Sequence, residues 1–163
     1  MPDNKTASLQ QWLWIVVAVI VLDQATKLLA DNLLTYQHPL QIMPLFNLTL
    51  VYNQGAAFSF LSNAGGWQRW FFVILSAVIS IALVIWLRKI EARHKYQIIA
   101  LAMILGGALG NLIDRSLYGH VIDFLDVYYS KHHWPAFNIA DSAITVGAIL
   151  LILDSLRHEQ HTK

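Results

Sequence analysis

WFFVILSAVISIALVIWL, Trp70 to Leu87, runs for eighteen residues without a charge. As a helix it is about 27 Å long at 1.5 Å per residue, enough to cross most of a hydrocarbon core of about 30 Å. Working outward, three more long apolar stretches appear, and spans are expected at about 12–34, 67–87, 96–117 and 136–156. Pro135 is suited to open the last helix, because its missing N–H is not needed there. The composition agrees: 56% of the 163 residues are hydrophobic and 13% charged, whereas soluble domains average about 25% charged. The length fits one domain, 1–163. The expected fold class is an all-α integral membrane protein with four transmembrane helices.

Charge and cysteine count narrow the chemistry. A net charge of +1 and the lack of a long basic run give no reason to expect nucleic acid as a partner. There is no cysteine, so disulfides, thiolate metal sites and a cysteine nucleophile are excluded. The first apolar run ends in Asp23-Gln24-Ala25-Thr26-Lys27 rather than a small-x-small cleavage site, so a cleaved signal peptide is not expected. Arg88, Lys89, Arg93 and Lys95 crowd the loop between spans two and three. Arg157, Lys163 and Lys5 lie on the same side, while the other side carries only Arg69 and Lys131. The positive-inside rule then places both termini in the cytoplasm. Trp12, Trp14, Trp67, Trp70, Trp86 and Trp134 fall near span ends, as an interfacial belt of aromatics would.

The external segment 35–66 is too long for a simple connector. Within it, Leu45–Tyr52 puts Asn47 and Thr49 on one side and Phe46, Leu48 and Leu50 on the other, the alternation of a half-buried strand. The following Asn53-Gln54-Gly55-Ala56-Ala57-Phe58-Ser59 has the small residues of a tight turn. Val121–Tyr129 is a second candidate strand.

The costly polar residues converge on one layer. An Asp near the centre of a membrane helix costs roughly 2.5–3.5 kcal/mol on insertion scales. With the expected orientation, Asp23 lies near mid-membrane and Lys27 and Asp31 outward of it. Asn111, Asp114 and Arg115 end span three at the outer face, and Asn138 and Asp141 begin span four there. Asp23 and Lys27 are four apart and pair on one helix face. Gly106, Gly107 and Gly110 precede Asn111 in a GxxxG arrangement that admits close helix packing. Asp126 and Asp154, near span ends, are expected to be solvated, and His120, His132 and His133 lack partners at metal-ligand spacing.

Two aspartates, Asp123 and Asp141, flank the short aromatic stretch between the second strand and span four. Two carboxylates in low dielectric cannot both ionise, so the pair would share one proton. The ionised member can then take a proton from water while the protonated one polarises a carbonyl. Which aspartate plays which part belongs to the coupled pair and is not set by sequence. A serine–lysine dyad, Ser59 with Lys27, stays formally open. A proton or ion carrier is a rival, although a carrier needs polar groups across the whole thickness. A scaffold, in which the aspartates are replaceable, is a third reading.

The sequence resembles lipoprotein signal peptidase, the type II signal peptidase family of bacteria. The matching blocks are Asp23–Lys27, Asn53–Ser59, Gly106–Arg115, Val121–Phe124 and Phe137–Ile144, in the family's order over nearly the whole chain. The resemblance implies an intramembrane aspartic endopeptidase without metal or cofactor, its four transmembrane helices joined by a small external β-like cradle and periplasmic loop. It would remove signal peptides from prolipoproteins, cutting just before a cysteine that carries diacylglycerol. Asp123 and Asp141 would be catalytic. Asn53, Gly55, Gly107, Asn111, Asp114, Arg115, Asn138 and Ala140 would line or support the site, and Asp23 and Lys27 would hold helix one. The implied setting is the bacterial inner membrane, as a monomer with its site near the periplasmic face. Membrane lipid and cyclic peptide antibiotics such as globomycin would be its other ligands.

Overall fold

The computed structural model describes residues 8–55 and 65–161, and four helices dominate it. These are α1 (Leu9–Leu33), α2 (Trp67–Lys89), α3 (Lys95–Leu117) and α4 (Ile139–His161), each long and apolar enough to cross a membrane. Val21, Leu29, Ile74, Ile81 and Ile152 are exposed on them, an outward apolar surface that lipid rather than water would cover. The expected turn at Ala56–Ser59, the candidate nucleophile Ser59, and Lys5 and Lys163 lie outside the described residues.

Helix α3 is the central one. It packs against α1, α2 and α4, and half of its span is buried, against 22% of each of the others. Small side chains make this possible: Ala100, Ala102, Gly106, Gly107, Ala108 and Gly110 are all buried. A Cβ on Gly107 would meet the Ala140 carbonyl oxygen and lie 2.7 Å from Ile144 Cγ1. There α3 and α4 touch backbone to backbone, the close approach that only glycine permits. At the far end of the bundle Trp12, Val16, Leu83, Leu87, Ile98, Leu101 and Leu105 form the apolar core. Trp12 therefore does not belong to the interfacial belt expected of it; at 4% exposure it is a core residue, because its face of α1 meets α3. Trp14, Trp67, Trp70, Trp86 and Trp134 are exposed.

A four-stranded antiparallel sheet covers the other end. Its strands are β1 (Leu40–Met43), β2 (Phe46–Asn53), β3 (Val121–Tyr129) and β4 (His132–His133), in the order β1-β2-β3-β4. The strands at β2 and β3 follow the sequence pattern, whereas β1 and β4, of four and two residues, are too short to show one. The alternation in β2 is interrupted by a register shift between Leu48 and Val51, so the buried positions are Asn47 and Leu50. Asn47 turns inward because Asp126, its partner in β3, is itself buried and accepts its side-chain N–H at 3.1 Å. Asp126 and Asp154 are thus not solvated: they are 5% and 7% exposed. Asp154 is covered where the Arg93–Tyr96 turn meets α4.

The turns between sheet and helices fix the site. Gly119 takes φ +81° just past α3, donating its N–H to the Arg115 carbonyl, the left-handed stop that favours glycine. Arg69 of α2 caps the same carbonyl and that of Ser116, at 2.9 and 2.7 Å. Helix α4 begins at Ile139 rather than near Pro135, because Phe137 is still paired with Leu125 through N–H···O bonds of 3.0 and 2.8 Å.

Replacing Gly107 by Ala is expected to push α4 off α3 and to destabilise the fold by ~1–3 kcal/mol, the usual cost of overpacking. Thermal unfolding in detergent measures this, and an unchanged midpoint would contradict the backbone contact.

Candidate active site

The site is built on a buried cation. Lys27, on α1, is 1% exposed, and its ammonium has three hydrogens to place. It donates to Asp23 Oδ2 at 2.8 Å, Asp114 Oδ2 at 2.9 Å and Asn111 Oδ1 at 2.9 Å. The i,i+4 spacing on α1 supplies the first contact, and the adjacent turns of α3 supply the other two. Asp23, Asp114 and Asn111 thus surround the Lys27 side-chain nitrogen. Ser59, the other member of the serine–lysine alternative, lies outside the described residues. Gln24 closes the ring by donating to Asp114 Oδ1 at 2.8 Å and to the Gly110 carbonyl at 3.2 Å.

The two carboxylates around Lys27 each reach one element that carries a candidate catalytic residue. Asp23 Oδ1 accepts the Ala140 N–H at 2.9 Å and so anchors the start of α4. Asp114 Oδ2 accepts the Ile122 N–H at 3.2 Å, anchoring β3 one residue before Asp123. A helix pair thereby sets the position of a strand and a second helix.

Asn138 joins the two aspartates. It is the N-cap of α4: its Oδ1 accepts the Asp141 N–H at 2.9 Å, and Asp141 Oδ2 accepts the Asn138 N–H at 3.3 Å. This reciprocal arrangement is a capping box, with Asp141 at the third helical position beside the positive end of the helix dipole. The same Asn138 donates Nδ2–H to Asp123 Oδ1 at 2.7 Å. Asn111 donates to Asp141 Oδ1 at 2.8 Å, and its oxygen accepts from Lys27 and, at 3.3 Å, from Asn138. On the outer side Asn53 donates to Asp123 Oδ2 at 3.0 Å and accepts the Gly55 N–H at 3.0 Å. Arg115 donates to the Gly55 carbonyl at 3.0 Å while its guanidinium lies 5.1 Å from the Phe72 ring centroid.

All twelve residues singled out from the sequence gather here, with Gly107 one turn away at the α3–α4 contact. Gln24 and Phe72 were not singled out. Gln24 left a trace, as an uncharged polar residue between Asp23 and Lys27 in an apolar span; Phe72 left none, since nothing local marks a phenylalanine that will lie under Arg115. His120 packs between Tyr52 and Tyr118, and burial holds its pKa below the ordinary imidazole value.

Asp123 is 2% exposed. Burial, and then the neighbouring Asp141 carboxylate, push its pKa up to about 7, against the hydrogen bonds of Asn53 and Asn138. A carboxyl poised there exchanges its proton near neutrality, as acid–base catalysis requires. The site opens into a cavity of about 580 Å³. Asn53, Asn111, Arg115, Asp141, Ser142 and Thr145 are among its polar lining, and Trp134, Pro135, Ala136, Phe137, Ile144 and Val146 among its apolar wall.

Comparison with known proteins gives a consistent picture. Residues 15–157 match the family described as signal peptidase (SPase) II. The lipoprotein signal peptidase of Acinetobacter baumannii is 56% identical over 144 residues, covering 88% of this chain and 82% of that protein. The Aeromonas hydrophila lipoprotein signal peptidase is 52% identical over 151 residues, covering 92% and 90%. Two solved bacterial membrane enzymes superpose with TM-scores of 0.87 and 0.80 at 34% and 35% identity. They cover 98% and 94% of this chain, and 96% and 97% of their own lengths are matched.

Lys27→Met should leave Asp23 and Asp114 buried without a counter-charge and destabilise the protein by ~3–5 kcal/mol. A thermal midpoint in detergent close to wild type would show that the buried ammonium does not hold the bundle together.

Proposed function

The chain belongs to the signal peptidase II family, and on that premise we propose that Asp123 and Asp141 are its catalytic pair. It is an aspartic endopeptidase of a bacterial membrane that removes the signal peptide from prolipoproteins, cutting just before the diacylglyceryl-modified cysteine. The observation that carries the assignment is the bridge at Asn138, which binds one aspartate through its side-chain N–H and caps the other. Two buried carboxylates so held retain one proton between them. The ionised one accepts a proton from the attacking water, and the protonated one donates a hydrogen bond to the scissile carbonyl as it becomes tetrahedral. Proton return to the departing amine completes the cycle and restores the shared proton.

The cavity supports a substrate that is half lipid. Its polar end meets Arg115 and the asparagines, where a peptide backbone would find donors. Its apolar wall continues onto α4, whose exposed Val146, Ile149 and Leu153 would face acyl chains. Orientation is part of the proposal: the basic turn between α2 and α3 faces the cytoplasm, both termini with it, and the sheet lies at the outer surface. Intact spheroplasts treated with a membrane-impermeant maleimide test this, because a cysteine at Lys131 should label and one at Arg93 should not. The reverse pattern would invert the protein.

Cleavage of a diacylglyceryl-prolipoprotein in detergent tests the pair. Asp123→Asn and Asp141→Asn should each lose ~10²–10⁴-fold in kcat, the range of a lost general acid or base. Either variant cleaving near the wild-type rate would remove it from the dyad. Because the Asp123 pKa is raised to about 7, the proton is present below that pH and lost above it. The wild-type kcat/KM should therefore fall about tenfold per pH unit on the alkaline side.

A further inference from the structure

Outside the catalytic cluster, one buried carboxylate has no part in the chemistry above and is held as firmly as those that do. Asp126, on β3, accepts hydrogen bonds from Asn47 Nδ2 at 3.1 Å and Thr49 Oγ1 at 3.1 Å, both on β2. From the opposite side it accepts His133 Nδ1, at 2.8 Å to Oδ1 and 3.1 Å to Oδ2. Burial pushes the Asp126 pKa up, but hydrogen bonds from His133, Asn47 and Thr49 outweigh it and hold the group below the ordinary carboxylate range. An ionised carboxylate only accepts, so Nδ1 of His133 carries the hydrogen. The His133 ring also stacks on Tyr128, with centroids 5.4 Å apart and planes at 20°, and Tyr128 OH accepts Gln41 Nε2 at 2.9 Å.

The segment that His133 belongs to is otherwise tied to β3 through backbone hydrogen bonds. Strand β4 is two residues long, joined to β3 by a turn in which Ser130 sits at φ 57°, a left-handed conformation that a non-glycine residue adopts at a cost. A two-residue strand on such a turn is not a stable hairpin by itself. Yet the next four residues, Trp134 to Phe137, form one wall of the substrate cavity, and Asn138, which bridges the aspartates, follows directly. Beyond the ladder, Trp134 N–H to Val127 O at 2.8 Å and the Phe137–Leu125 pair hold the two ends of that wall.

We propose that the His133–Asp126 pair is a latch that positions the Trp134–Phe137 wall of the cavity, making His133 a positioning residue for substrate binding. The proposal rests on the cavity's being the substrate site of the peptidase. His133 touches no reacting group. It acts by fixing, through a strand-to-strand hydrogen bond to a carboxylate already tied to β2, the surface against which substrate packs. Such a residue sets KM and leaves the chemical step alone, whereas a merely structural defect reduces the fraction of active enzyme and leaves KM unchanged.

Two measurements on the full chain test the latch. In prolipoprotein cleavage, His133→Ala should raise KM about tenfold, the scale of one hydrogen bond to a charged group, with kcat within about twofold of wild type. His133→Asn, whose side-chain N–H can occupy the place of Nδ1–H, should restore KM. Independently of activity, a nitroxide on Ala136→Cys, in a chain otherwise free of cysteine, should become more mobile in the His133→Ala background and not in His133→Asn. A kcat loss at unchanged KM, an Asn variant no better than Ala, or a label equally mobile in all three would overturn the latch. Activity surviving in Asp123→Asn or Asp141→Asn would instead overturn the dyad, and the label reads the latch regardless of that result.

Discussion

A lysine ammonium inside the bundle has to be matched hydrogen by hydrogen, and Lys27 is. Placing that cation 1% exposed in an apolar bundle obliges Asp23, Asp114 and Asn111 to converge on it. Each uses its remaining hydrogen-bonding capacity to reach another element: Asp23 the first turn of α4, Asp114 the first residues of β3, Asn111 the Asp141 carboxylate. A buried ion pair is not by itself a reason for stability. Here its consequence is geometric: the same charges that must neutralise one another dictate where a strand and a helix begin.

The two carboxylates proposed as the catalytic pair inherit their places from that arrangement. Asp141 lies in the first turn of a capped helix, while Asp123 lies on a strand under the bundle, where burial favours its proton. Asymmetric surroundings of this kind let two like residues divide acid and base duties. Asparagine suits the bridging position because it offers donors and an acceptor without adding charge. A third carboxylate or a second cation at Asn138 would fix the protonation of the pair rather than let the proton be shared.

Much of this was legible beforehand. Long apolar runs gave the four spans, because a bilayer tolerates little else, and the alternation of Leu45–Tyr52 and the run Val121–Tyr129 gave the two long strands. The site residues could be gathered because polar groups in apolar spans are too costly to be incidental. What was misread depended on partners distant in sequence. Asp126 looked solvated until Asn47, Thr49 and His133 closed around it, Trp12 looked interfacial until α3 covered it, and the entry to α4 slipped past Pro135 because Phe137 had a strand to pair with.

The sequence by itself therefore determined the membrane class, the spans and the set of polar residues that meet in one layer, since all of these follow from transfer free energy and local spacing. Only the tertiary structure decided how that set is wired: which carboxylate anchors which element, that one asparagine serves both aspartates, and that a two-residue strand is fastened to Asp126. Hydrogen bonds between residues dozens of positions apart depend on angles and distances of a fraction of an ångström. No periodicity in a chain records those; they exist only once the helices have packed.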